Sequence, residues 1–331
     1  MDKPAVFITR LIHEPALEKI RAVAEVEVWP FDSPPPRSIL IDRAGRMDGL
    51  LTLLTDPIDT EVIAAAHGKL KVISQMAVGF DNIDVKTANA QRIPVGNTPG
   101  VLTETTADMA WALIMATARR IPEADRQVRQ GIWHPWGPFV LTGTDVSGAT
   151  LGIIGMGRIG QAVARRARGF DMRILYTDLK RNPEAEQQLG AHFVTLGQLL
   201  AESDFVSLHS YLSAENYHMI GRQQLAMMKP GAILINTARG GLVDPQALTE
   251  ALRNGPIGAA GLDVFEPEPI PQDHPLLAMD NVVIAPHIAS ASKQTRLRMA
   301  LMAADNLIAG LQGKRLPFCV NPEVYEVSGP R

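Results

Sequence analysis

Residues 151–160 read Leu151-Gly152-Ile153-Ile154-Gly155-Met156-Gly157-Arg158-Ile159-Gly160, an apolar run followed by three glycines with the spacing GxGxxG. The run Leu151–Ile154 predicts a buried strand, and a helix is predicted to begin near Arg158. Between them, Gly155 permits a tight turn, Gly157 lets a phosphate approach the backbone, and Gly160 allows the helix to pack closely on the strand. The stretch predicts a dinucleotide site, against the alternative of a glycine-rich turn with a structural role only.

Short apolar runs alternate with segments of helical period along most of the chain, which is typical of βαβ units around a parallel sheet. The predicted strands are Ala5–Thr9, Val26–Trp29, Gly49–Leu54, Val72–Gln75, Pro94–Gly96, Leu151–Ile154, Arg173–Thr177, Phe193–Val194, Phe205–His209, Ala232–Asn236, Gly258–Asp263 and Val282–Ile284. The predicted helices include Glu14–Ala24, Asp59–Ala66, Val85–Gln91, Thr103–Arg119, Gln161–Arg168 and Ser292–Gln312. The predicted fold class is α/β, with two Rossmann-like domains on parallel sheets, one flavodoxin-like and one that binds a dinucleotide.

Composition limits the possible partners. At 331 residues the chain is long enough for two domains of ordinary size. A formal net charge of −3 gives no reason to expect a nucleic acid or an anionic membrane as a partner. Cys319 is the only cysteine, which excludes an intrachain disulfide and a cysteine-based zinc site, and we expect no bound metal. Without a run of ~18 apolar residues or a signal-peptide pattern, the chain is expected to be cytoplasmic.

An acidic residue directly follows the predicted strand Arg173–Thr177. At this position the carboxylate of Asp178 can hydrogen-bond the ribose hydroxyls of an adenosine. It would also repel a 2′-phosphate, which favours NAD, as NADH, over NADP. Lys180 and Arg181 lie close enough in sequence to keep NADP open. Asp178 as an ordinary loop residue or helix cap is the other alternative.

Three strings that follow predicted strands each carry one polar residue suited to a 2-oxo acid: Asn236–Gly241, Leu262–Pro269 and Ala285–Ser290. Arg239 can bind a carboxylate with two hydrogen bonds and polarise the neighbouring ketone. His287 can donate a proton to the ketone oxygen, and Glu268 would orient the imidazole and favour its protonated form. Singly, each has an ordinary alternative, as a surface arginine, a structural histidine or an exposed glutamate. Together they predict a catalytic set.

These motifs, in this order, make the chain similar to the D-isomer-specific 2-hydroxyacid dehydrogenase family over nearly its whole length. The motifs that carry the likeness are Gly155–Gly160, Asn236–Asp244, Gly261–Pro269 and Pro286–Ser290. The resemblance implies a catalytic triad of Arg239, Glu268 and His287. It further implies a substrate-binding domain of residues 1–99 completed by 300–331, an NAD-binding Rossmann domain of residues 100–299, and a homodimer formed through the coenzyme domains.

Two ligand sites follow from the motifs and the resemblance. The residues predicted to bind the dinucleotide are Gly155, Gly157, Arg158, Ile159, Gly160, Asp178, Thr237, Ala238, Arg239, Asp263 and His287. The residues predicted to bind the substrate are Leu53, Val78, Gly79, Arg239, His287 and Trp136. Val78 and Gly79 lie in a stretch that resembles the family's carboxylate-binding loop, with free N–H groups for the anion. Trp136 belongs to an aromatic arm that, in relatives, reaches the active site of the neighbouring subunit; packing in a dimer interface is the alternative.

The strongest local likeness is to glyoxylate/hydroxypyruvate reductases, through Trp133–Trp136, Asp145–Gly148 and Gly169–Tyr176. Formate dehydrogenases have glutamine where this chain has Glu268, which disfavours that activity. Phosphite dehydrogenases have lysine where this chain has Val78, which disfavours that activity as well. Positions 53 and 54 are leucines and offer no cation that could hold a substrate phosphate, which disfavours a phosphorylated substrate. We therefore predict reduction of glyoxylate or hydroxypyruvate. Two alternatives stay open: another D-2-hydroxyacid dehydrogenase, of the D-lactate type, and a dinucleotide-sensing protein like the corepressors that share this fold.

Overall fold

The computed structural model describes residues 3–326, and this part of the chain forms two compact units. The first unit extends to Leu102 and resumes at Ala291, and the second is Thr103–Ser290. Their assignment to a substrate and to a dinucleotide stays a prediction. Over the described residues, no helix is both long and apolar enough to cross a bilayer.

Strands and helices alternate along both units. The strands are β1 (Ala5–Ile8), β2 (Glu25–Val28), β3 (Gly49–Thr52), β4 (Val72–Gln75), β5 (Val95–Gly96), β6 (Thr150–Ile154), β7 (Arg173–Thr177), β8 (His192–Phe193), β9 (Phe205–Leu208), β10 (Ile233–Asn236), β11 (Ala259–Leu262) and β12 (Val282–Ile284). The helices are α1 (Glu14–Arg21), α2 (Arg37–Arg46), α3 (Thr60–Ala64), α4 (Val85–Ala90), α5 (Thr103–Ala118), α6 (Ile121–Arg129), α7 (Arg158–Ala167), α8 (Pro183–Leu189), α9 (Leu196–Glu202), α10 (Arg222–Met227), α11 (Pro245–Asn254) and α12 (Lys293–Leu311).

The first unit is built on a parallel five-stranded sheet with the order β2-β1-β3-β4-β5. The C-terminal part of the chain completes it, because α12 packs on this sheet and the Ser74 hydroxyl donates to the carbonyl of Ala303 at 2.7 Å. Asn321 is fully buried and joins the chain after α12 to β5, accepting from the N–H of Val95 at 2.7 Å and donating to the carbonyl of Ile93 at 3.0 Å. Residues 291–326 are therefore part of this unit's core.

The second unit is built on a parallel seven-stranded sheet with the order β12-β11-β10-β9-β6-β7-β8. The strand order reverses at β6, which lies between β7 and β9. Open α/β sheets bind ligands at such a reversal, outside the carboxyl ends of the strands. Helices cover both faces, so β9 and β10 are continuous buried runs without alternation. The predicted α/β class with two parallel sheets is confirmed.

Six helices, α2, α6, α8, α9, α10 and α11, were not among those named from the sequence. α5 ends at Ala118, and α6 begins at Ile121 after Arg120, which has a left-handed φ of 52°. Such a turn is uncommon away from glycine, so the sequence predicted a single helix to Arg119 and no helix after it. Another of the six, α2, buries only Leu40 and Ala44 and therefore has a weak apolar period.

Asp84 joins two helices of the first unit. It is the N-cap of α4, where Oδ1 accepts from the N–H of Thr87 at 3.0 Å, and its Oδ2 accepts from the hydroxyl of Thr60 in α3 at 2.5 Å. Hydrogen bonds from Thr60 and Thr87 lower the pKa of Asp84 to about 2. The ionised carboxylate therefore stabilises the contact between the helices.

We predict that Asp84→Asn lowers the free energy of unfolding near neutral pH, and that its difference from the parent narrows as the pH falls. The folded-state pKa of about 2 lies below that of the unfolded chain. The stabilisation is thus present above the unfolded value and is lost as the pH falls through the folded value. Urea unfolding at a series of pH values measures the effect, with the exposed Asp273→Asn as control. A pH-independent difference would contradict it.

Candidate active site

The glycine turn joins β6 to α7, whose first residues are Arg158 and Ile159. Gly155 has a φ of +98°, and a Cβ there would lie 2.7 Å from the nitrogen of Ser210. A Cβ on Gly160 would lie 2.1 Å from the carbonyl oxygen of Gly155. A Cβ on Gly157, by contrast, would meet no atom within 4 Å. Two of the glycines therefore serve packing within the protein, and the third leaves open space at the start of a helix.

Two side-chain hydroxyls with buried oxygens lie at the same edge of the sheet. Ser210 follows β9 and Thr237 follows β10, and in the part of the chain that the structure describes neither side-chain oxygen is hydrogen-bonded. An unpaired buried hydroxyl is unfavourable, so a polar ligand would stabilise this edge. The open space at Gly157 and these two hydroxyls fit the phosphates and ribose hydroxyls of a nicotinamide dinucleotide.

Asp178 follows β7 and is held against the glycine turn. Its Oδ2 accepts from the N–H of Met156 at 2.7 Å, and its Oδ1 accepts from the N–H of Leu179 at 2.6 Å. Arg181 forms an ion pair with Glu186 at 2.7 Å. Hydrogen bonds from Arg181 and from the Tyr176 hydroxyl lower the pKa of Glu186 to about 2. The negative charge of Asp178 therefore lies beside the turn, while the nearby guanidinium is paired elsewhere.

The loop after β10 carries Thr237, Ala238 and Arg239, and the side chain of Asn236 shapes it. Asn236 accepts from the N–H of Ala238 at 3.0 Å and donates to the carbonyl of Arg239 at 2.8 Å. The Arg239 guanidinium donates to the carbonyl of Ala238 at 2.7 Å. Asn236 was not predicted from the sequence, although a polar residue that ends an otherwise apolar strand is the signal that could have identified it.

Glu268 and His287 form a carboxylate–imidazole pair. His287 Nδ1 lies 2.7 Å from Glu268 Oε2, and Glu268 Oε1 accepts from the N–H of Phe265 at 2.8 Å. Burial raises the pKa of Glu268, but the hydrogen bond with His287 and the charges of His287 and Arg239 outweigh it and leave the pKa below its usual range. The carboxylate is thus ionised and orients the imidazole.

Asp263 binds the backbone of His287 and of the two residues that follow it. Its side chain is fully buried and accepts from the N–H groups of Ile288 at 2.8 Å and Ala289 at 2.7 Å, while its carbonyl accepts from the N–H of His287 at 2.8 Å. Burial raises the pKa of Asp263, and the two backbone N–H groups oppose this. These contacts hold His287 in a left-handed conformation with a φ of 54°. A direct role of Asp263 in binding the dinucleotide stays a prediction.

The loops that carry the three predicted catalytic residues are in contact. A Cβ on Gly240 would lie 1.9 Å from the carbonyl oxygen of Phe265, so the backbone that follows Arg239 touches the backbone that leads to Glu268. The charge of Arg239 also contributes to the lowered pKa of Glu268. The structure thus brings Arg239, Glu268 and His287 to one edge of the second sheet.

In the first unit, Leu53, Val78 and Gly79 follow strands at the corresponding edge. The carbonyl of Val78 accepts from the side chain of Asn97 at 2.8 Å, and the carbonyl of Leu53 accepts from Asn82 at 3.1 Å. Within residues 3–326, no protein acceptor is seen for the N–H groups of Val78 and Gly79. These two donors therefore fit a small anion. The orienting side chain of Asn82 was not predicted from the sequence.

Trp136 lies in the irregular segment 131–144 of the second unit, and 91% of its surface is exposed. Trp133 and Phe139, in the same segment, are exposed at 78% and 88%. Large apolar side chains at this exposure fit an intermolecular contact. The contribution of Trp136 to a neighbouring subunit's site, and the homodimer itself, stay predictions.

A second histidine at this edge was also missed. His209 directly follows β9, and its Nε2 lies 2.8 Å from the hydroxyl of Ser207. Burial lowers the pKa of His209 to about 3, so the ring is neutral near pH 7. The signal was available, since His209 ends a predicted strand at the ligand-binding edge.

Comparisons with known proteins agree with these features. The family model described as D-isomer specific 2-hydroxyacid dehydrogenase, NAD binding domain, matches residues 111–289. A glyoxylate reductase of Korarchaeum cryptofilum is 57% identical over 329 residues, with 99% of each chain covered. The solved glyoxylate reductase of Paecilomyes thermophila is 34% identical, with a TM-score of 0.86 and coverage of 97% of this chain and 99% of that one. The NADPH-dependent glyoxylate/hydroxypyruvate reductase of Sinorhizobium meliloti, solved with NADP and malonate, is 31% identical, with a TM-score of 0.83 and coverage of 97% and 98%.

We predict that substitution by alanine affects NADH binding at Gly157 and thermal stability at Gly160. Gly157→Ala adds a methyl group in open space, so the melting temperature should change by less than about 2 °C, while the Kd for NADH should rise at least about tenfold. Gly160→Ala should lower the melting temperature, because its Cβ would lie 2.1 Å from a carbonyl oxygen. Thermal melts and NADH fluorescence titrations measure the two effects. Unchanged NADH affinity in Gly157→Ala would argue against a phosphate at the turn.

Proposed function

Because this chain belongs to the D-isomer specific 2-hydroxyacid dehydrogenase family and is an NAD(P)-dependent oxidoreductase, we propose that it reduces glyoxylate or hydroxypyruvate to the 2-hydroxy acid. The observation that carries the proposal is the 2.7 Å hydrogen bond between Glu268 and His287, beside the loop of Arg239. A proton donor and a carboxylate-binding cation at the edge that holds a dinucleotide turn suit reduction of a 2-oxo acid. The names of the relatives at 57% and 34% identity support the same substrate class.

The chain's own residues would divide the work. Arg239 binds the substrate carboxylate through its guanidinium and polarises the ketone oxygen. His287 donates a proton to that oxygen, and Glu268 holds the ring and stabilises its positive charge before the transfer. When bound, the reduced dinucleotide supplies the hydride that reaches the ketone carbon. In the first unit, the N–H groups of Val78 and Gly79 support the binding of an anion. The apolar side chain of Leu53 supports a preference for a small substrate.

We further propose that NADH is preferred to NADPH. The carboxylate of Asp178, held at 2.7 Å from the nitrogen of Met156, supports this preference, because after β7 its negative charge would repel a 2′-phosphate. Of the two cations close to Asp178 in sequence, Lys180 and Arg181, Arg181 is paired with Glu186 at 2.7 Å. The Sinorhizobium meliloti relative is NADPH-dependent, and a comparison of the two dinucleotides tests the preference of this chain.

We predict that Arg239→Ala lowers kcat/KM for glyoxylate by about a thousandfold or more, because a charge-assisted contact in the transition state is lost. The Kd for NADH should rise by less than about tenfold, because the other residues predicted to bind the dinucleotide remain. Stopped-flow and steady-state NADH consumption measure the first quantity and fluorescence titration the second, with Arg253→Ala on the exposed face of α11 as control. Near-normal turnover would remove Arg239 from the proposed set.

The parent protein should be assayed with glyoxylate, hydroxypyruvate and pyruvate. Dominant turnover of pyruvate would favour a D-lactate type of dehydrogenase. Tight NADH binding without turnover of any 2-oxo acid would favour a dinucleotide sensor and would overturn the proposed reaction.

We predict that two substitutions at Asp178 separate its charge from its hydrogen bond. Asp178→Asn keeps an oxygen acceptor for the N–H of Met156 but removes the charge, so kcat/KM for NADPH should rise while that for NADH falls by less than about tenfold. Asp178→Ala removes both and should weaken both dinucleotides. The ratio of kcat/KM for NADH and NADPH is the measurement. An unchanged ratio in Asp178→Asn would reject a role for the charge.

A further inference from the structure

A second carboxylate–imidazole pair lies beside the first. His218 Nε2 and Glu266 Oε2 are 2.6 Å apart, and the Tyr217 hydroxyl donates to Glu266 Oε1 at 2.9 Å. The rings of Tyr217 and His218 stack with centroids 3.9 Å apart and planes inclined by 18°. Both oxygens of one carboxylate are thus held by two neighbouring side chains. We call Tyr217, His218 and Glu266 the Glu266 clamp.

The clamp joins three loops at the ligand-binding edge of the second sheet. Tyr217 and His218 belong to the loop after β9, and Glu266 belongs to the loop after β11. The N–H of His218 also donates to the carbonyl of Gly241, in the loop after β10, at 2.8 Å. A Cβ on Gly241 would lie 3.4 Å from the ring of Tyr217. The clamp therefore contacts both loops that carry Arg239 and Glu268.

The geometry differs from that of an ordinary surface ion pair. Exposed pairs contribute about 0–1 kcal/mol because their side chains are mobile and solvated. Here the side chains of His218 and Glu266 are only 29% and 33% exposed, and each makes a further contact that fixes its orientation. His218 has a φ of 53°, a left-handed conformation that is uncommon outside glycine. Such a conformation persists where surrounding contacts enforce it, and it is found preferentially near functional sites.

Glu266 precedes Glu268 by two residues, and the intervening backbone is short and held at both ends. At one end the clamp fixes the Glu266 carboxylate. At the other, the N–H of Phe265 donates to Glu268 Oε1 at 2.8 Å, and Glu268 Oε2 lies 2.7 Å from His287 Nδ1. A displacement of Glu266 would therefore move the Phe265 nitrogen, which holds Glu268, and the Glu268 carboxylate, which orients His287.

We propose that Tyr217 and His218 are positioning residues that act, through Glu266, on the orientation of the Glu268–His287 pair. This inference rests on the proposed function, because it assigns Glu268 and His287 to proton transfer. The clamp itself touches neither the substrate nor the transferred proton. It limits the loop after β11 to the arrangement in which the imidazole is held for donation.

Kinetics of Glu266→Ala test the proposal. A misplacement of about 1 Å costs up to about a hundredfold in rate, so kcat for glyoxylate should fall about ten- to a hundredfold while KM for NADH stays within about twofold. His218→Ala and Tyr217→Phe should each lower kcat in the same way. His218→Gln, whose amide can donate to Glu266, should restore kcat to within about threefold of the parent. Failure of rescue would reject a positional role for the hydrogen bond.

A double-mutant cycle separates positioning through Glu268 from general loss of structure. In a Glu268→Gln background, adding Glu266→Ala should lower kcat by less than about twofold, because the interaction it supports is already lost. Full additivity would overturn the proposal. Glu250→Ala is the matched control, since Glu250 pairs with Arg222 at 2.5 Å on the same unit and should leave kcat unchanged.

Failure of the clamp can be told apart from failure of the proposed function. If Glu268→Gln reduces kcat at least about a hundredfold but Glu266→Ala keeps kcat within about twofold of the parent, only the clamp is rejected. If Glu268→Gln itself retains the parent's turnover, the proposed role of Glu268 is rejected and the clamp with it. Thermal melts of all variants are run in parallel, and a loss of kcat accompanied by the loss of the folded transition in Glu266→Ala is resolved by Tyr217→Phe, which removes one hydroxyl only.

Discussion

The parallel direction of every strand in the second sheet is the constraint on which the site depends. Because all seven strands run the same way, each loop that follows a strand emerges at the same edge, where α7 also begins. Residues far apart in sequence thereby become neighbours without any long connection. Close approach of the loops then depends on small residues, and Gly240 is the clearest case, because a Cβ there would lie 1.9 Å from the carbonyl of Phe265.

Three carboxylates follow β11 within a few residues, and their partners give them separate roles. Asp263 is fully buried and bound by backbone N–H groups at 2.7 and 2.8 Å, so it fixes the backbone around His287. Glu266 is bound by Tyr217 and His218. Glu268 is bound by His287 and by one N–H group, and its pKa lies below the usual range. The three carboxylates thus have different roles, because their burial and their partners differ. They fix the backbone, join loops and orient a ring, respectively.

The sequence allowed prediction of the fold class and of the residues at the ends of strands, because apolar runs and glycine spacing depend on local chain order. Arg239, Glu268 and His287 lie together as the motifs implied, although their roles stay proposals. The partners of these residues could not be predicted in the same way. His218 and Glu266 are separated by 48 positions. His218 lies in no motif, and Glu266 lies in the motif Gly261–Pro269 without a local sign of its partner. The end of α5 was predicted to within one residue, and α6 was missed because the two helices are joined at Arg120 by a left-handed turn that occurs without a glycine.

Asp178 shows how one side chain can tie together two properties that an engineer would wish to change separately. Its carboxylate accepts from the N–H of Met156 at 2.7 Å, within the glycine turn. A replacement at 178 that removes the oxygen acceptor therefore loosens the anchoring of the turn at the same time as it removes the charge. With NADH as the proposed coenzyme, exchange for the phosphorylated dinucleotide calls for paired changes, an uncharged acceptor for Met156 at position 178 and a substitution that releases Arg181 from Glu186. A lineage that passed through a residue without an acceptor would carry a loosened turn, which restricts the residues that its intermediates can have at 178.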